Sequence, residues 1–253
     1  MKAVILAGGL GLRLRPLTED RPKAMVPVNG TPIAEIQLRW LAASLSPELV
    51  VFACGYRWER IREYFGESYH GTPIEYVVED EPMGTAGALR NVIKTIGISD
   101  ENIVVMNGDV VTDLPIKHML EWHVKAGVGA SPTIVTMLLI PYRSQYGVVR
   151  INKLGIVRKF EEKPEFPDVW INGGVYIVQP RRITRFLPEK GDLERETFPK
   201  LVEHGEIAAY PYYGFWRSID TVKALMEAEE ELRNKATTYQ GQLLDDYNNH
   251  NRA

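Results

Sequence analysis

Glycine and positive charge are concentrated in the first two dozen residues of the chain. The apolar run Lys2–Ala7, which ends in Leu6 and Ala7, predicts a buried strand that leads directly into Gly8, Gly9 and Gly11. The loop that follows carries the cations Arg13, Arg15, Arg21 and Lys23. Glycine lets a ligand approach bare backbone N–H groups, and consecutive N–H groups form a concavity that suits an anion. A strand, a glycine turn and several cations together predict a triphosphate site.

Glycine at the first turn of an α/β protein can also serve packing alone, and this alternative stays open at this point. The dinucleotide pattern GxGxxG requires a helix directly after the glycines, but prolines intervene here. The P-loop pattern GxxxxGK[ST] is absent. The glycines alone therefore do not identify a known phosphate-binding loop.

A candidate metal ligand follows a later apolar run. Asn107, Gly108 and Asp109 come directly after residues 103–106, which are predicted to form a strand. Ligands gather at the carboxyl ends of strands in an open α/β sheet, so Asp109 is well placed to hold Mg²⁺ beside a triphosphate. The alternative is a hairpin turn, since Asn-Gly is a common turn pair. Asp113 is the nearest competing carboxylate, but it is expected to cap the helix that begins at Pro115.

The periodicity of apolar residues predicts the elements that position these groups. Strands alternate with helices up to about residue 126, which predicts a mostly parallel sheet with helices on both faces. Strands separated by turns follow, with a hairpin turn at 152–155. Beyond the first strand, we expect strands at 49–54, 74–78, 103–106, 133–140, 147–151, 157–161, 174–178 and 207–213. We expect helices at 31–44, 85–96, 115–126, 193–204 and 222–234, with Thr31 as the N-cap of the first. Residues 1–235 are expected to form one domain and 236–253 a polar C-terminal tail.

Composition indicates an ordinary soluble protein. Of the 253 residues, 45% are apolar and 25% charged, and the net charge of −3 gives no general attraction to nucleic acid or to an anionic membrane. No apolar stretch approaches about 18 residues and no signal peptide is recognised, so a cytoplasmic protein without membrane contact is expected. Cys54 is the only cysteine, which excludes an internal disulfide. Assembly into a homo-oligomer stays open.

The cationic loop resembles a known signature. Residues 8–18, together with Arg21, Pro22 and Lys23, are similar to the signature of the sugar-1-phosphate nucleotidylyltransferases, also called nucleotide-sugar pyrophosphorylases. The chain departs from it at Leu12, where Thr or Ser is more usual, and at Ala24, where Pro is more usual. The resemblance implies a Rossmann-like nucleotidyltransferase fold of the glycosyltransferase-A type, in a short form without a C-terminal β-helix. It implies that this loop wraps a nucleoside triphosphate and that Arg13 and Lys23 take part in the chemistry.

Residues 79–88 resemble the segment that reads the base in this family. The resemblance gives Glu79, Gly84 and Thr85 nucleotide-binding roles, and Glu79 could accept hydrogen bonds from a purine N–H. Thr85 also stands at the start of a predicted helix, so N-capping is a second, compatible role. This segment is more like that of the guanylyl-transferring members than that of the thymidylyl or uridylyl ones. It implies GTP and mannose 1-phosphate as the leading substrate pair.

Three later segments resemble the family's sugar-phosphate site. By that resemblance Gly147 and Asn172 line the sugar pocket, Glu162 grips sugar hydroxyls and Lys163 is catalytic through the sugar phosphate. Glu162 and Lys163 could instead be a solvated surface pair, as most such charges are. In the resemblance Asp109 is one Mg²⁺ ligand.

The second metal ligand of the family is displaced in this chain. The family's aspartate aligns with Ser218, a weaker Mg²⁺ ligand, and an aspartate reappears two positions later at Asp220. In an extended stretch, positions 218 and 220 point to the same side, so Asp220 could reach the ion. The alternative role for Asp220 is N-cap of the helix that begins near Val222.

The residues and the resemblance together predict an enzyme. We expect transfer of a nucleotidyl group from a nucleoside triphosphate to a sugar 1-phosphate with Mg²⁺ as cofactor, giving a nucleoside diphosphate sugar and pyrophosphate. The alternatives are a catalytically idle subunit that senses nucleotide sugars, or thymidylyl or uridylyl transfer to glucose 1-phosphate. A glycosyltransferase is less consistent with the sequence, because Asn107 replaces the first acid of the usual Asp-x-Asp motif.

Overall fold

The computed structural model describes residues 1–126 and 133–235. The expected C-terminal tail, residues 236–253, lies outside the described residues. No helix in the described ranges is both long enough and apolar enough to cross a membrane.

An eight-stranded sheet organises the described residues. The strands of the described residues are β1 (Lys2–Ala7), β2 (Pro27–Val28), β3 (Thr31–Pro32), β4 (Leu49–Cys54), β5 (Ser68–Tyr69), β6 (Thr72–Val78), β7 (Ile103–Asn107), β8 (Val110–Thr112), β9 (Val135–Arg143), β10 (Val148–Ile151), β11 (Val157–Glu161), β12 (Glu165–Val178), β13 (Ile207–Pro211) and β14 (Trp216–Ser218). The strand order of the sheet is β13-β9-β12-β7-β1-β4-β6-β5, and within it only β12 and β5 run antiparallel to their neighbours.

Helices cover both faces of this sheet, as the sequence predicts. The helices are α1 (Ile33–Ser44), α2 (Glu59–Phe65), α3 (Gly84–Ile96), α4 (Ile116–Ala126), α5 (Pro180–Ile183), α6 (Phe198–Glu203) and α7 (residues 222–235). Along β1, Ala3 and Ile5 pack in a core with α1, α2 and α4, whereas Val4 packs in a second core with α3 and α6. Burial of β1 on both faces explains why it reads as a continuous apolar run. The expected mixed, mostly parallel sheet with helices on both faces is confirmed.

A third, smaller core fixes the cationic loop. Leu14 of that loop is fully buried against Val111 of β8, Phe215 and Ile219 beside β14, and Leu225 of α7. The strands β8 and β14 form a separate antiparallel pair, and strands of three residues are too short to show a periodicity in the sequence. This core brings the N-terminal loop and residues 216–220 to the same edge of the sheet, although about 200 positions separate them in sequence.

Several local predictions need correction. The stretch 31–32 is strand β3, so α1 begins at Ile33 and Thr31 is not its cap. Strand β12 spans Glu165–Val178, much more than the expected 174–178. Two register irregularities interrupt its alternation, so the pattern in the sequence predicts only the last part of the strand. The expected cap role of Asp113 is also wrong. Its Oδ1 accepts hydrogen bonds from Tyr212 Oη and from Phe215 N at 2.9 Å, and Lys235 Nζ contacts Oδ2, so Asp113 fastens the β8–β14 pair and α7 instead.

Candidate active site

A cavity of about 610 Å³ opens at the carboxyl ends of β1 and β7. It is the place where ligands collect in open α/β sheets. The predicted residues that line it are Leu6, Ala7, Gly8, Gly9, Gly11, Arg13, Lys23, Glu79, Gly84, Thr85, Asp109 and Asp220. The structure therefore gathers the predicted triphosphate, base and metal residues into one cavity. Gly147, Glu162, Lys163 and Asn172 do not line it.

The glycines of the first loop serve different purposes. Gly11 has φ of +61°, and a side chain there would lie 2.9 Å from Thr18 Cγ2, so both conformation and packing require glycine. A side chain on Gly8 would overlap the Glu79 carboxylate. Gly9 has open space where a side chain would lie. Packing thus accounts for Gly8 and Gly11, whereas Gly9 leaves the backbone open toward the cavity.

The ammonium group of Lys23 joins the two predicted metal ligands. Lys23 Nζ contacts Asp109 Oδ2 and lies 2.6 Å from Asp220 Oδ1, and Arg13 Nη2 lies 2.7 Å from that same oxygen. One cation can reach both carboxylates only if they converge. Burial by itself would raise the pKa of the Asp220 carboxyl. The hydrogen bond and charge of Lys23, with smaller contributions from Ser218 and Arg13, outweigh the effect of burial and hold that pKa below its usual value.

The helix that begins at Val222 is capped by Thr221 and not by Asp220. Thr221 Oγ1 accepts a hydrogen bond from Ala224 N at 3.2 Å, and Thr221 O accepts the first helical bond from Leu225 N at 2.9 Å. Asp220 Oδ2 accepts a hydrogen bond from Ser218 Oγ at 2.9 Å, so positions 218 and 220 do share one side. The Asp220 carboxylate therefore points into the cavity and leaves the helix to Thr221.

The second carboxylate, Asp109, is held by its backbone. Gly108 N donates to Leu6 O at 2.9 Å, and Ile219 N donates to Asp109 O at 2.9 Å. No hairpin forms after Asn107, because β8 pairs with β14 and not with β7. Asp109 Oδ1 is buried and has no hydrogen-bond partner among the described residues. A buried carboxylate oxygen without a partner is costly, and a bound cation would satisfy it.

The donor set at this point fits Mg²⁺. Asp109 and Asp220 offer hard carboxylate oxygens, which Mg²⁺ prefers, and one or two carboxylates with substrate phosphates are its usual protein environment. In the described ranges, 1–126 and 133–235, no group of three or more His, Cys, Asp or Glu residues is arranged to hold a metal.

The cavity is also lined by Glu79, Pro82, Gly84, Ala88 and Asp192, and the Glu79 carboxylate lies beside Gly8. Glu79 Oε2 accepts a hydrogen bond from Met83 N at 3.0 Å. Burial raises the pKa of Glu79, and this backbone bond opposes the effect only in part. Asp192 was not predicted. Asp192 lies close to Gly84 because the residue before it is bonded to α3. Gly191 O accepts a hydrogen bond from Ala86 N at 3.0 Å, in the first turn of that helix.

Thr85 lies in this region but does not cap the helix. The helix begins one residue earlier, and no side chain caps it. Thr85 Oγ1 instead accepts a hydrogen bond from Leu193 N at 2.8 Å and donates to Glu194 Oε2 at 3.0 Å. The expected capping role is therefore wrong, and the hydroxyl fastens the loop that presents Asp192.

The predicted sugar residues lie beyond the cavity in two places. Gly147 and Glu162 are adjacent at the base of the β10–β11 hairpin, since a side chain on Gly147 would lie 2.9 Å from Glu162 Oε2. Lys163 follows with φ of +45°, and its Nζ has no hydrogen-bond or ion-pair partner among the described residues.

Asn172 lies closer to the metal end of the cavity. Its Oδ1 accepts from Gly174 N at 2.9 Å and its Nδ2 donates to Tyr176 Oη at 2.8 Å. A side chain on Gly174 would lie 2.8 Å from Asn107 Nδ2, so this bulge of β12 packs against the end of β7. The Asn172 side chain is thus engaged within the bulge.

Comparison with known proteins agrees with this geometry. A protein-family model described as "Nucleotidyl transferase" matches residues 2–235. The chain is 37% identical over 230 residues to mannose-1-phosphate guanyltransferase of Aspergillus oryzae, with 88% of this chain and 62% of the relative covered. It is 35% identical to the catalytic subunit beta of mannose-1-phosphate guanylyltransferase of Drosophila melanogaster, with 88% and 60% covered. The chain therefore spans about three fifths of the length of these relatives.

Solved structures share the fold. HddC from Yersinia pseudotuberculosis, which has also been solved in complex with GMP-PN, superposes with a TM-score of 0.71 at 25% identity, covering 91% of this chain and 99% of the other. A putative glucose-1-phosphate thymidylyltransferase from Bacillus anthracis gives the same TM-score at 23% identity, covering 92% and 95%. The Rossmann-like nucleotidyltransferase fold expected from the sequence is confirmed. With the family model matching nearly the whole chain, the protein belongs to the nucleotidyl transferase family.

Proposed function

We propose that this chain is an enzyme that transfers a guanylyl group from GTP to a sugar 1-phosphate, with mannose 1-phosphate as the leading acceptor, and releases pyrophosphate. The observation that carries the proposal is the single cavity in which an open glycine turn, two cations and two converging carboxylates meet. That combination binds a triphosphate and its Mg²⁺. The names of the similar guanyltransferases support the choice of base and sugar.

Nucleotidyl transfer depends mostly on positioning and on neutralising charge. A phosphate oxygen of the sugar 1-phosphate attacks the α-phosphorus, the bond from that phosphorus to the bridging oxygen breaks, and pyrophosphate leaves. The attacking oxygen is already ionised, so no general base is needed. Arg13 and Lys23 are placed to neutralise charge on the triphosphate and on the departing pyrophosphate. Mg²⁺ held by Asp109 and Asp220 would supply further charge neutralisation at the phosphates.

The acceptor sugar is assigned to the side of the cavity next to the β12 bulge. Asn172 lies near the end of β7 through the contact between Gly174 and Asn107. We assign the Lys163 ammonium group, which has no partner among the described residues, to the sugar phosphate. We assign Gly147 and Glu162, which lie next to one another outside the cavity lining, to the sugar hydroxyls, for which Glu162 offers a carboxylate. In this arrangement Lys163 aims the nucleophile, and the hairpin residues select the sugar.

The base is assigned to the end of the cavity away from the cations. A triphosphate at Arg13 and Lys23 leaves that end, lined by Glu79, Gly84, Ala88 and Asp192, for the base. Guanine presents two adjacent donors, N1–H and N2–H, which one carboxylate can accept together, whereas adenine, uracil and thymine lack that pair. Two carboxylates at this end therefore favour guanine. A site built to accept such hydrogen bonds discriminates strongly against a base that lacks them.

The test is a panel of GTP, ATP, UTP and dTTP against mannose 1-phosphate and glucose 1-phosphate, read as pyrophosphate release. We expect GTP to give the highest kcat/KM, and Asp192→Asn to narrow the margin between GTP and ATP by about tenfold. A clear preference for dTTP or UTP would overturn the assignment of the base. Absence of turnover with every pair would favour the idle sensing subunit.

A further inference from the structure

Gln37 is a buried polar residue that none of the roles above uses. It lies in the middle of α1 and is 1% exposed, between apolar neighbours that pack in the core, such as Leu38 and Leu41. A buried amide is costly unless it is hydrogen-bonded, and an apolar side chain would fill the same space without that cost. Its contacts therefore indicate what a glutamine does there that leucine or methionine could not.

Both hydrogen bonds of the Gln37 side chain go to one turn. Gln37 Nε2 donates to Asn107 O at 2.9 Å and to Val110 O at 2.8 Å. These carbonyls close β7 and open β8, and only Gly108 and Asp109 lie between them. A single amide group thus holds both ends of the link that carries the Asp109 carboxylate.

The oxygen of the Gln37 amide shows that the two bonds from Nε2 decide the orientation of the side chain. Its Oε1 is buried without a hydrogen-bond partner among the described residues, so the side chain is not fixed by a network of its own. The amide stays in place because its NH₂ group satisfies two carbonyls at once, which neither a carboxylate nor an apolar side chain can do. The turn gains this support from α1, in addition to its bonds to Leu6 and Ile219.

We propose that Gln37 is a positioning residue for metal binding, which sets the Asp109 carboxylate against Asp220 by clamping residues 107–110 from α1. This inference depends on the proposed function, because it assigns Asp109 and Asp220 to Mg²⁺. Gln37 is not among the residues that line the cavity, so it would act through the turn it holds. Loss of a residue that orients a metal ligand typically lowers metal affinity 10- to 100-fold.

The test compares Gln37→Met with Leu41→Ala in the full chain. Met matches the length of Gln but donates no hydrogen bond. Leu41 is fully buried one turn further along α1, so Leu41→Ala destabilises the same helix without removing the clamp. Binding of Mn²⁺ to the protein is measured by electron paramagnetic resonance, together with the Mg²⁺ dependence of pyrophosphate release and the melting temperature.

We expect Gln37→Met to weaken Mn²⁺ binding at least tenfold and to raise the Mg²⁺ concentration for half-maximal rate by a similar factor. Its kcat at saturating Mg²⁺ should stay within a few-fold of wild type. Leu41→Ala should lower the melting temperature and leave Mn²⁺ affinity within twofold. The inference is overturned if Gln37→Met binds Mn²⁺ like wild type, or if both variants lose affinity equally. Failure of the proposed function is distinct, because Asp109→Asn would then bind Mn²⁺ as well as wild type does.

Discussion

Replacing Lys23 with methionine should tighten metal binding while it slows the reaction. Lys23 Nζ contacts Asp109 and lies 2.6 Å from Asp220, and the lysine side chain is only 17% exposed. A divalent ion that takes the same carboxylate oxygens must displace this ammonium group. Lys23 is therefore a competitor of the metal in the free protein, and in the proposed reaction it is a partner of the triphosphate.

The size of the competition follows from the two contacts. A hydrogen bond to a charged group contributes about 1.5–3 kcal/mol net. Two such contacts at the low end amount to ~3 kcal/mol, or about 10²-fold in affinity. Arg13 stays beside Asp220 in the variant and keeps part of the repulsion, so we expect Lys23→Met to bind Mn²⁺ about 10- to 100-fold more tightly. Turnover should fall on the order of 10²–10³-fold, as for the loss of one charge-stabilising contact.

The assay is a Mn²⁺ titration of the free protein, paired with pyrophosphate release at saturating Mg²⁺. Arg13→Met is the matched control, because among the described residues the Arg13 side chain pairs with Asp220 alone, and it is 71% exposed. Screening by solvent should limit its effect on Mn²⁺ affinity to a few-fold. Mn²⁺ affinity that is unchanged or weaker in Lys23→Met would refute the placement of the metal between these carboxylates.

Two further variants test the neighbouring assignments. Asp220→Asn should raise the Mg²⁺ concentration that pyrophosphate release requires at least tenfold. Thr221→Ala should cost about 1 kcal/mol of stability through the lost cap and leave the Mg²⁺ titration unchanged. An unchanged Mg²⁺ titration and a loss of stability in Asp220→Asn would instead assign Asp220 to a capping role. Burial by itself would raise the pKa of the Asp113 carboxyl. Hydrogen bonds from Lys235 and Tyr212 outweigh the effect of burial and hold that pKa below its usual value. The ionised carboxylate therefore stabilises the fold above about pH 4, its unfolded-state range, and the contribution disappears as pH falls through the folded-state pKa. Thermal melting of Asp113→Asn should show its largest deficit against wild type near pH 7 and a narrowing deficit below about pH 4; a constant deficit would contradict this.

The parts of the site that are local in sequence could be predicted from it. The apolar run Lys2–Ala7, the glycine turn and the cations are contiguous, and Asp109 directly follows a buried strand. Each of these patterns carries its own structural meaning, so strand, turn and loop were placed correctly. The mixed sheet with helices on both faces likewise follows from alternating strand and helix periods.

Contacts between distant segments could not be predicted. The three-residue strands β8 and β14 have no periodicity of their own, and they form because Phe215 and Ile219 complete a small core with Leu14. That core decides where residues 218–220 lie. The sequence alone therefore could not show that the Asp220 side chain lines the cavity.

Turn and cap residues were the other source of error. Asp113 and Thr85 have the residue types of helix caps, but both are used by segments about 100 positions away. Asp192 likewise reaches the cavity because Gly191, the residue before it, is bonded to Ala86, about 100 positions away in the sequence. For Asp220 the signal was present in the sequence, since Thr221 directly before the helix is also a good cap.

The most direct test of the central claim is the joint appearance of two products. Wild-type protein is incubated with GTP, mannose 1-phosphate and Mg²⁺, and pyrophosphate and the guanosine diphosphate sugar are quantified together. The proposed reaction predicts both products in equal amounts from wild type, dependence on Mg²⁺, and a loss of at least 10²-fold in Asp109→Asn. Pyrophosphate without the nucleotide sugar, or equal activity in Asp109→Asn, would contradict nucleotidyl transfer at this site.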